Sequence, residues 1–275
     1  MFLPVAFARP PLFSLFLALS YQVCSNRRVV DIHCHILPEV DDGPKNWQTA
    51  QAMCSMAAED GIEHMVAAPH ANNRYHYDRA YLAQLLVTLQ QKIGPAPRLT
   101  LGCDFHLSSA NMRSALEAPE RFCIGNTHYL LVEFSNAGIP QQIDGWFMQM
   151  KMRGLTPVIT HPERNPLLQQ NTNQLLQWIS LGCAVQVTAS SVTGGWGDRA
   201  QQSAHWLIRQ HAVHFLASDA HDLERRPPLL SAVRELVARE FSEELATSLF
   251  DTNPGAVVKD QPLPFFEKPS ALPRG

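Results

Sequence analysis

The chain has 275 residues, is 45% hydrophobic and carries a formal charge of -3. That length supplies one domain with its own core, and the absence of a strongly basic segment excludes electrostatic binding of nucleic acid. Its six cysteines, Cys24, Cys34, Cys54, Cys103, Cys123 and Cys183, stand singly without CxxC pairs, which excludes a zinc ribbon or disulfide scaffold and suits a reducing compartment.

Residues 1–28 contain the apolar run LFSLFLALS, too short to span a membrane as a helix. Arg9 is the one positive charge ahead of it and Pro10 and Pro11 interrupt the approach, so the expectation is an extension, with a secretory signal as the alternative. The segment VVDIH then reads as a strand. Trp47, Ala50, Cys54 and Ala57 mark one helix face up to Asp60, with Gly61 as the stop. HMVAA is the second strand, and Tyr81, Leu82, Leu85, Leu86, Leu89 and Ile93 pattern a helix closed by Gly94. LTLG and YLLVEF follow as strands. Ile143, Trp146, Phe147 and Met150 mark a helix ended by Gly154 before the strand LTPVIT, and Leu175, Leu176 and Ile179 one ended by Gly182 before CAVQVT. Ala204, Leu207 and Ile208 lie on a helix feeding VHFLAS, and a last helix runs from Leu229 to Val237. Repeated strand–helix units without a long linker imply a parallel sheet in a single domain over 29–256, followed by a tail over 257–275.

Three strand ends share one chemistry: DIHCH at 31–35, ITHPER at 159–164 and ASDAH at 217–221 place histidines beside carboxylates after apolar runs. His33 and His35 sit two apart and so share one side of an extended strand, which sends Cys34 the other way into the wall. Asp219 and His221 repeat the spacing, HMVAAPH ends at His70, and YLLVEF carries Glu133, a carboxylate costly to bury without a cation. Ligands at the carboxyl ends of at least five strands favour a closed barrel, whose strand ends converge on one mouth. An open sheet would scatter them, and the chain has no glycine-rich nucleotide fingerprint.

The blocks DIHCHILPEVDDG, AAPH, LLVEF, HPERN, VQVTASS and ASDAHDLERRPP, in this order, resemble the polymerase-and-histidinol-phosphatase (PHP) superfamily, and within it the bacterial manganese-dependent protein-tyrosine phosphatases of the CpsB/CapC type. The resemblance extends from Val30 to the region of Asn253 and Pro254. It implies a distorted (β/α)7 TIM-like barrel and a cytoplasmic hydrolase of phosphotyrosine, with a tyrosine kinase of capsule or exopolysaccharide export as partner and no nucleic acid or stable membrane insertion. It also implies a Mn2+ cofactor, with about three divalent ions per site. The metal ligands it implies are His33, His35, Asp42, His70, Asp104, Glu133, His161, Asp219 and His221. The family pattern has a glutamate, one methylene longer, where this chain has Asp104. Asp41 is the neighbour of Asp42, and a helix cap would use either. Arg164 and Arg226 fall on the family's phosphate-binding positions, with Arg225 adjacent. Two other functions share this architecture: hydrolysis of a small phosphomonoester such as histidinol phosphate, and metal-binding partnership with the kinase without catalysis.

Imidazole and carboxylate without thiolate suit manganese, iron, cobalt or zinc. Such a cluster holds phosphate oxygens and yields a metal-bridging hydroxide that attacks phosphorus directly, so no protein nucleophile is needed. Guanidinium forks supply the remaining charge neutralisation. Cys34, Cys103 and Cys183 lack the glycine–arginine loop of cysteine-dependent phosphatases. Tyr75 and Tyr77, in NNRYHYD after His70, are expected either to stack on a phosphotyrosine ring or to cap the barrel rim. The glycines of VTGGWGD at 192–198 suit either close approach to a ligand or a turn. His106, His128, His205, His211 and His214 lie outside the blocks and are expected to be structural or exposed.

Overall fold

The computed structural model describes residues 28–266, so the apolar run and Cys24 lie outside the described residues. Strands β1 (Val29–Cys34), β2 (Ile62–Ala67) and β4 (Arg98–Leu101) form one sheet in the order β1-β2-β4. Strands β3 (His70–Ala71), β5 (Asp104–His106), β6 (Tyr129–Glu133), β7 (Thr156–Thr160), β8 (Ala184–Thr188) and β9 (Phe215–Ala217) form a second in the order β3-β5-β6-β7-β8-β9. All pairings are parallel. β2 and β3 are one strand broken at Ala68 and Pro69, where proline withholds an N–H from the ladder. β4 and β5 are one strand broken at Gly102 and Cys103, where a Cβ on Gly102 would come within 2.7 Å of Val66 Cγ1.

The ring closes between β9 and β1. Cys34 bridges Ala220, His35 N donates to Ala220 O at 2.8 Å, and Asp219 N donates to His33 O at 2.8 Å. Counting each broken strand once, seven strand positions enclose a distorted (β/α)7 barrel, as the family resemblance implies. The expected helices surround it as α1 (Trp47–Glu59), α2 (Arg79–Ile93), then α4 (Ile143–Met152), α5 (Thr172–Ser180), α6 (Asp198–Arg209) and α7 (Ser231–Glu240). The four glycines expected to stop helices, Gly61, Gly94, Gly154 and Gly182, all have left-handed φ, from +76° to +95°.

Sequence periodicity gives no sign of α3 (Ser109–Glu117), which buries only Met112 and Ala115 and is started by Ser108 accepting from Asn111 N. Nor does it show the helical turns between Glu243 and Val257, which bury Leu249, Phe250 and Val257. Beyond residue 256, Tyr129 Oη donates to Gln261 O at 2.6 Å and Phe265 N to Asn253 Oδ1 at 3.0 Å.

Two apolar layers follow from strand alternation. The larger packs the helices onto the barrel and includes Met53, Leu89, Phe147, Trp178 and Ile208. The smaller contains Val30, Ile32, Val66, Ala68, Leu131, Val158, Ala184, Phe215 and Ala217. Two residues further along, on the same side of each strand, come His70 after Ala68, Glu133 after Leu131, Thr160 after Val158, Gln186 after Ala184 and Asp219 after Ala217. The barrel therefore holds an apolar plug beneath a polar layer at the carboxyl ends of its strands.

β1 departs from this alternation, because Ile32 belongs to the plug and the very next residue, His33, to the polar layer. Its pairing with β2 explains the phase change: Asp31 pairs Met65 and Cys34 pairs Ala67, three steps on β1 against two on β2. This bulge re-aims His33 and His35 into the mouth. Cys34 points away as expected, its thiol on Val66 O at 3.2 Å.

His214, just before β9, is buried, and its Nδ1 accepts from Val185 N at 3.0 Å. Burial pushes its pKa down to about 3. The folded value lies below the unfolded one of about 6.5, so this group stabilises the fold above that pH and the contribution is lost as pH falls toward the folded value. His214→Asn, which keeps an acceptor, should flatten the acid-side fall in unfolding free energy by up to about 1.4 kcal/mol per pH unit, measured by urea unfolding. A slope unchanged from wild type would contradict this account.

Candidate metal centre

The strand ends deliver the polar layer to one mouth. β1 supplies His33, β3 His70, β5 Asp104 and β6 Glu133; His35 directly follows β1, His161 follows β7, Asp219 and His221 follow β9, and Asp42 lies on the loop after β1. Their ligand atoms cluster in four overlapping groups, each with all atoms within 4.8 Å: His35, Asp42, His70 and His221; His33, Asp104 and His161; His33, His35 and Asp219; His70, Asp104 and Glu133. Every residue of the ligand set implied by the family resemblance occurs in at least one group. Asp104, the shorter replacement, occurs in two, with Oδ2 3.1 Å from His70 Nδ1 and 3.7 Å from His33 Nε2.

Several of these atoms are buried without a well-formed hydrogen bond among the described residues: Asp104 Oδ2 and His70 Nδ1, which face each other at 3.1 Å, and His221 Nε2, 3.3 Å from Asp42 Oδ1. Unpaired buried polar atoms are costly, and a divalent cation would satisfy oxygen and imidazole donors together. The residues present therefore fit a hard or borderline divalent metal. Burial, reinforced by His221, lowers the His35 pKa to about 4. Burial, with Arg164 adding to it, holds His161 well below its usual range. Both rings are thereby kept neutral, the form that binds metal. Burial opposes charge on His70, yet Asp104 and Asp42 overcome it and raise its pKa to about 11. Burial also works against charge on Asp219, where Arg164, His33 and Arg226 prevail and hold the carboxylate far below its usual range.

His161 and Asp219 adopt left-handed backbone conformations, φ +36° and +52°, which cost about 1–3 kcal/mol each in residues with a Cβ. Such strain persists where surrounding structure imposes it, here at two positions that aim a side chain into the mouth. Asp41 has a different task from Asp42. Its Oδ2 lies 2.7 Å from His35 Nδ1, and its Oδ1 accepts from Gly43 N at 2.9 Å. A Cβ on Gly43 would meet His35 O at 2.7 Å, so the turn requires glycine. Neither aspartate caps a helix, because Asn46 caps α1 by accepting from Thr49 N.

Arg164 Nη1 and Arg226 Nη2 each lie 2.6 Å from Asp219 Oδ2. Arg226 is brought there by a turn in which Asp222 Oδ1 accepts from the amides of Glu224, Arg225 and Arg226, while Arg225 stays exposed. Both arginines line a cavity of about 270 Å³ with Asp42, His70, Asp219, His221 and Trp196.

Tyr77 is not a mouth residue. It is buried, with its hydroxyl on Gly102 O at 2.9 Å, because it anchors the NNRYHYD loop to the core. Tyr75 is half-buried and stacks on His70, centroids 5.8 Å apart. His106 lies closer to the site than expected, its Nδ1 3.6 Å from Glu133 Oε2. Three site residues were not singled out by the sequence. Gln186 Oε1 lies 3.0 Å from His33 Nδ1, and its only signal is an amide amid the apolar run CAVQVT. Asp31, with its pKa lifted by burial to about 6, accepts from Ser218 N and His33 N. Glu163, also buried, ties the turn bearing His161 and Arg164 to β8 by accepting from Thr188 N at 3.1 Å and Ser191 Oγ at 2.7 Å.

The family described as capsular polysaccharide synthesis, CpsB/CapC, matches residues 29–259. The tyrosine-protein phosphatase YwqE of Bacillus subtilis is 28% identical over 249 residues, 90% of this chain and 97% of that protein. The tyrosine-protein phosphatase CpsB of Streptococcus pneumoniae is 26% identical over 242 residues, 85% of this chain and 99% of that protein. A crystal structure from work on YwqE and CpsB, described as unique metal-dependent tyrosine phosphatases, aligns with a TM-score of 0.82 at 28% identity and covers 89% of this chain and 100% of that one. The lactonase Lmo2620 of Listeria monocytogenes, at 10% identity and a TM-score of 0.54 over 88% of this chain and 95% of its own, shares the fold alone.

Asp41→Asn keeps side-chain size but removes the carboxylate beside His35 Nδ1. Affinity for Mn2+ should fall about 10–100-fold, measured by titration calorimetry, with the circular dichroism spectrum preserved. Wild-type affinity in this variant would remove Asp41 from the metal centre.

Proposed function

The chain belongs to the CpsB/CapC capsular polysaccharide synthesis family, and from that membership we propose that it is a metal-dependent protein-tyrosine phosphatase. The observation that carries the reading is the convergence of His33, His35, Asp42, His70, Asp104, Glu133, His161, Asp219 and His221 on a mouth that also holds Arg164 and Arg226. About three ions, Mn2+ first and iron, cobalt or zinc as chemically similar choices, would supply Lewis acidity and activated water for attack at phosphorus. The residues' part is to hold charge in place. Arg164 and Arg226 offer guanidinium donors to the phosphate oxygens, and a fork of that kind grips two oxygens at once. The carboxylates balance the cations, and the buried, neutral His161 and His35, the latter held at Nδ1 by Asp41, each keep a ring nitrogen to ligate.

Cysteine chemistry has no support among the described residues: Cys34, Cys54, Cys103, Cys123 and Cys183 are all buried. Burial pushes the thiols of Cys54 and Cys123 up to about 12 and those of Cys34 and Cys103 well above their ordinary value, so none is a ready thiolate. Five free cysteines suit a reducing compartment, and the reaction is assigned to the cytoplasm. The substrate is assigned as phosphotyrosine on a tyrosine kinase of capsule or exopolysaccharide export, in keeping with the names and family of the relatives.

Protein stripped by a chelator should lose phosphatase activity on a phosphotyrosine peptide and regain it when Mn2+, cobalt, iron or zinc is added back singly. His35→Ala and Asp219→Ala should abolish turnover with loss of metal, whereas Arg226→Ala should raise KM with metal retained. Preference for histidinol phosphate over the peptide would redirect the reading to a small-molecule phosphatase. Metal binding without turnover on either would favour a non-catalytic kinase partner.

A further inference from the structure

Trp196 stands where the two arginines meet. Arg164 Cζ lies 4.1 Å and Arg226 Cζ 5.2 Å from its ring centroid, and all three side chains line the cavity over the metal centre. We propose that Trp196 is a positioning residue that holds Arg164 and Arg226 together as one phosphate-binding unit, an inference that rests on the phosphatase reading.

Charge makes such a residue necessary. Both guanidinium groups approach the same atom, Asp219 Oδ2, at 2.6 Å, so one carboxylate faces two cations and their mutual repulsion is only partly offset. The electron-rich face of an indole attracts cations, most strongly where water is scarce. Arg164 and Arg226 keep only 14% and 25% of their side-chain surface exposed, so the ring can secure them without consuming hydrogen-bond donors. A donor remains in reserve: Arg226 Nε is buried with no hydrogen-bond partner among the described residues. Two cations against one carboxylate, with an unspent N–H on Arg226, form a site poised for a doubly charged anion.

The loop is built to present this ring. Trp196 Nε1 donates to Ser190 Oγ at 3.1 Å, Gly195 N to Ser190 O at 2.8 Å and Gly197 N to Gly194 O at 2.9 Å. A Cβ on Gly195 would meet Ser190 O at 3.0 Å, so the close approach that seats the indole depends on glycine there. The ring stays 40% exposed, so it could also receive an aromatic substrate directly, and inorganic phosphate, which has no ring, separates the two roles.

The experiment uses metal-loaded wild type, Trp196→Ala and Trp196→Phe. In Trp196→Ala, calorimetric affinity for inorganic phosphate should weaken roughly tenfold, KM for a phosphotyrosine peptide should rise comparably, and kcat should fall by less. Metal content by elemental analysis should stay at the wild-type level, and Trp196→Phe should recover most of the phosphate affinity. Unchanged phosphate affinity in Trp196→Ala would overturn the proposal, whether or not peptide binding suffers. So would a drop in metal content that phenylalanine does not restore, which would mark a merely structural role. Wild type that binds phosphate without hydrolysing the peptide would defeat the phosphatase reading while leaving the Trp196 assignment intact. Metal-loaded wild type that binds no phosphate would overturn the assignment itself.

Discussion

Asp219 is the hinge of this molecule's chemistry. It is almost wholly buried in a strained left-handed turn, with Oδ1 3.6 Å from both His33 Nε2 and His35 Nε2 and Oδ2 2.6 Å from both arginines. A buried carboxylate is tolerated only when cations or donors surround it, and here the surroundings differ on its two sides. One side gathers imidazoles that can carry metal, and the other gathers guanidinium groups that can carry phosphate. The candidate cation cluster and the candidate anion site thus share a wall one carboxylate thick.

The barrel exists, in this light, to make an apolar plug and a charged layer adjoin. Each strand crosses from one to the other within two residues, as from Leu131 to Glu133 and from Ala217 to Asp219, and the plug below excludes water from one side of the ligands. A low-polarity floor strengthens every electrostatic interaction above it, which is consistent with the depressed pKa values of His35 and His161. The residues behind the ligands complete the arrangement. Asp41 and Gln186 occupy the second nitrogens of His35 and His33, fixing which nitrogen each ring turns toward the cluster, and Glu163 pins the turn that carries both His161 and Arg164.

Much of this was legible in the residues. Apolar runs ending in histidine and carboxylate announced strand ends, the glycines after each helix marked its stop, and the spread of ligands over several strands required a closed sheet to bring them together. What stayed hidden was weakly patterned or depended on a partner distant in sequence. Helix α3 buries too little to show a periodicity, and the turns after Glu243 carry no repeat. Tyr75 and Tyr77 look equivalent in NNRYHYD, yet one stacks on His70 and the other hangs from Gly102, because a two-residue step on a loop has no fixed facing. Asp41 and Asp42 are indistinguishable as adjacent aspartates and were separated only by the turn that Gly43 permits.

The sequence by itself determined which candidate donors are on offer, most of the order of strands and helices and the family, because these are carried by residue identity and local period. Only the tertiary structure decided how the donors are shared. It took the bulge in β1 to put His33 and His35 in phase with the other strand ends, closure of β1 on β9 to set them against Asp219, and the loop after β8 to lay Trp196 against two arginines remote from it in the chain. Those are relations between segments, set by packing and hydrogen-bond register, and no local pattern of residues encodes them.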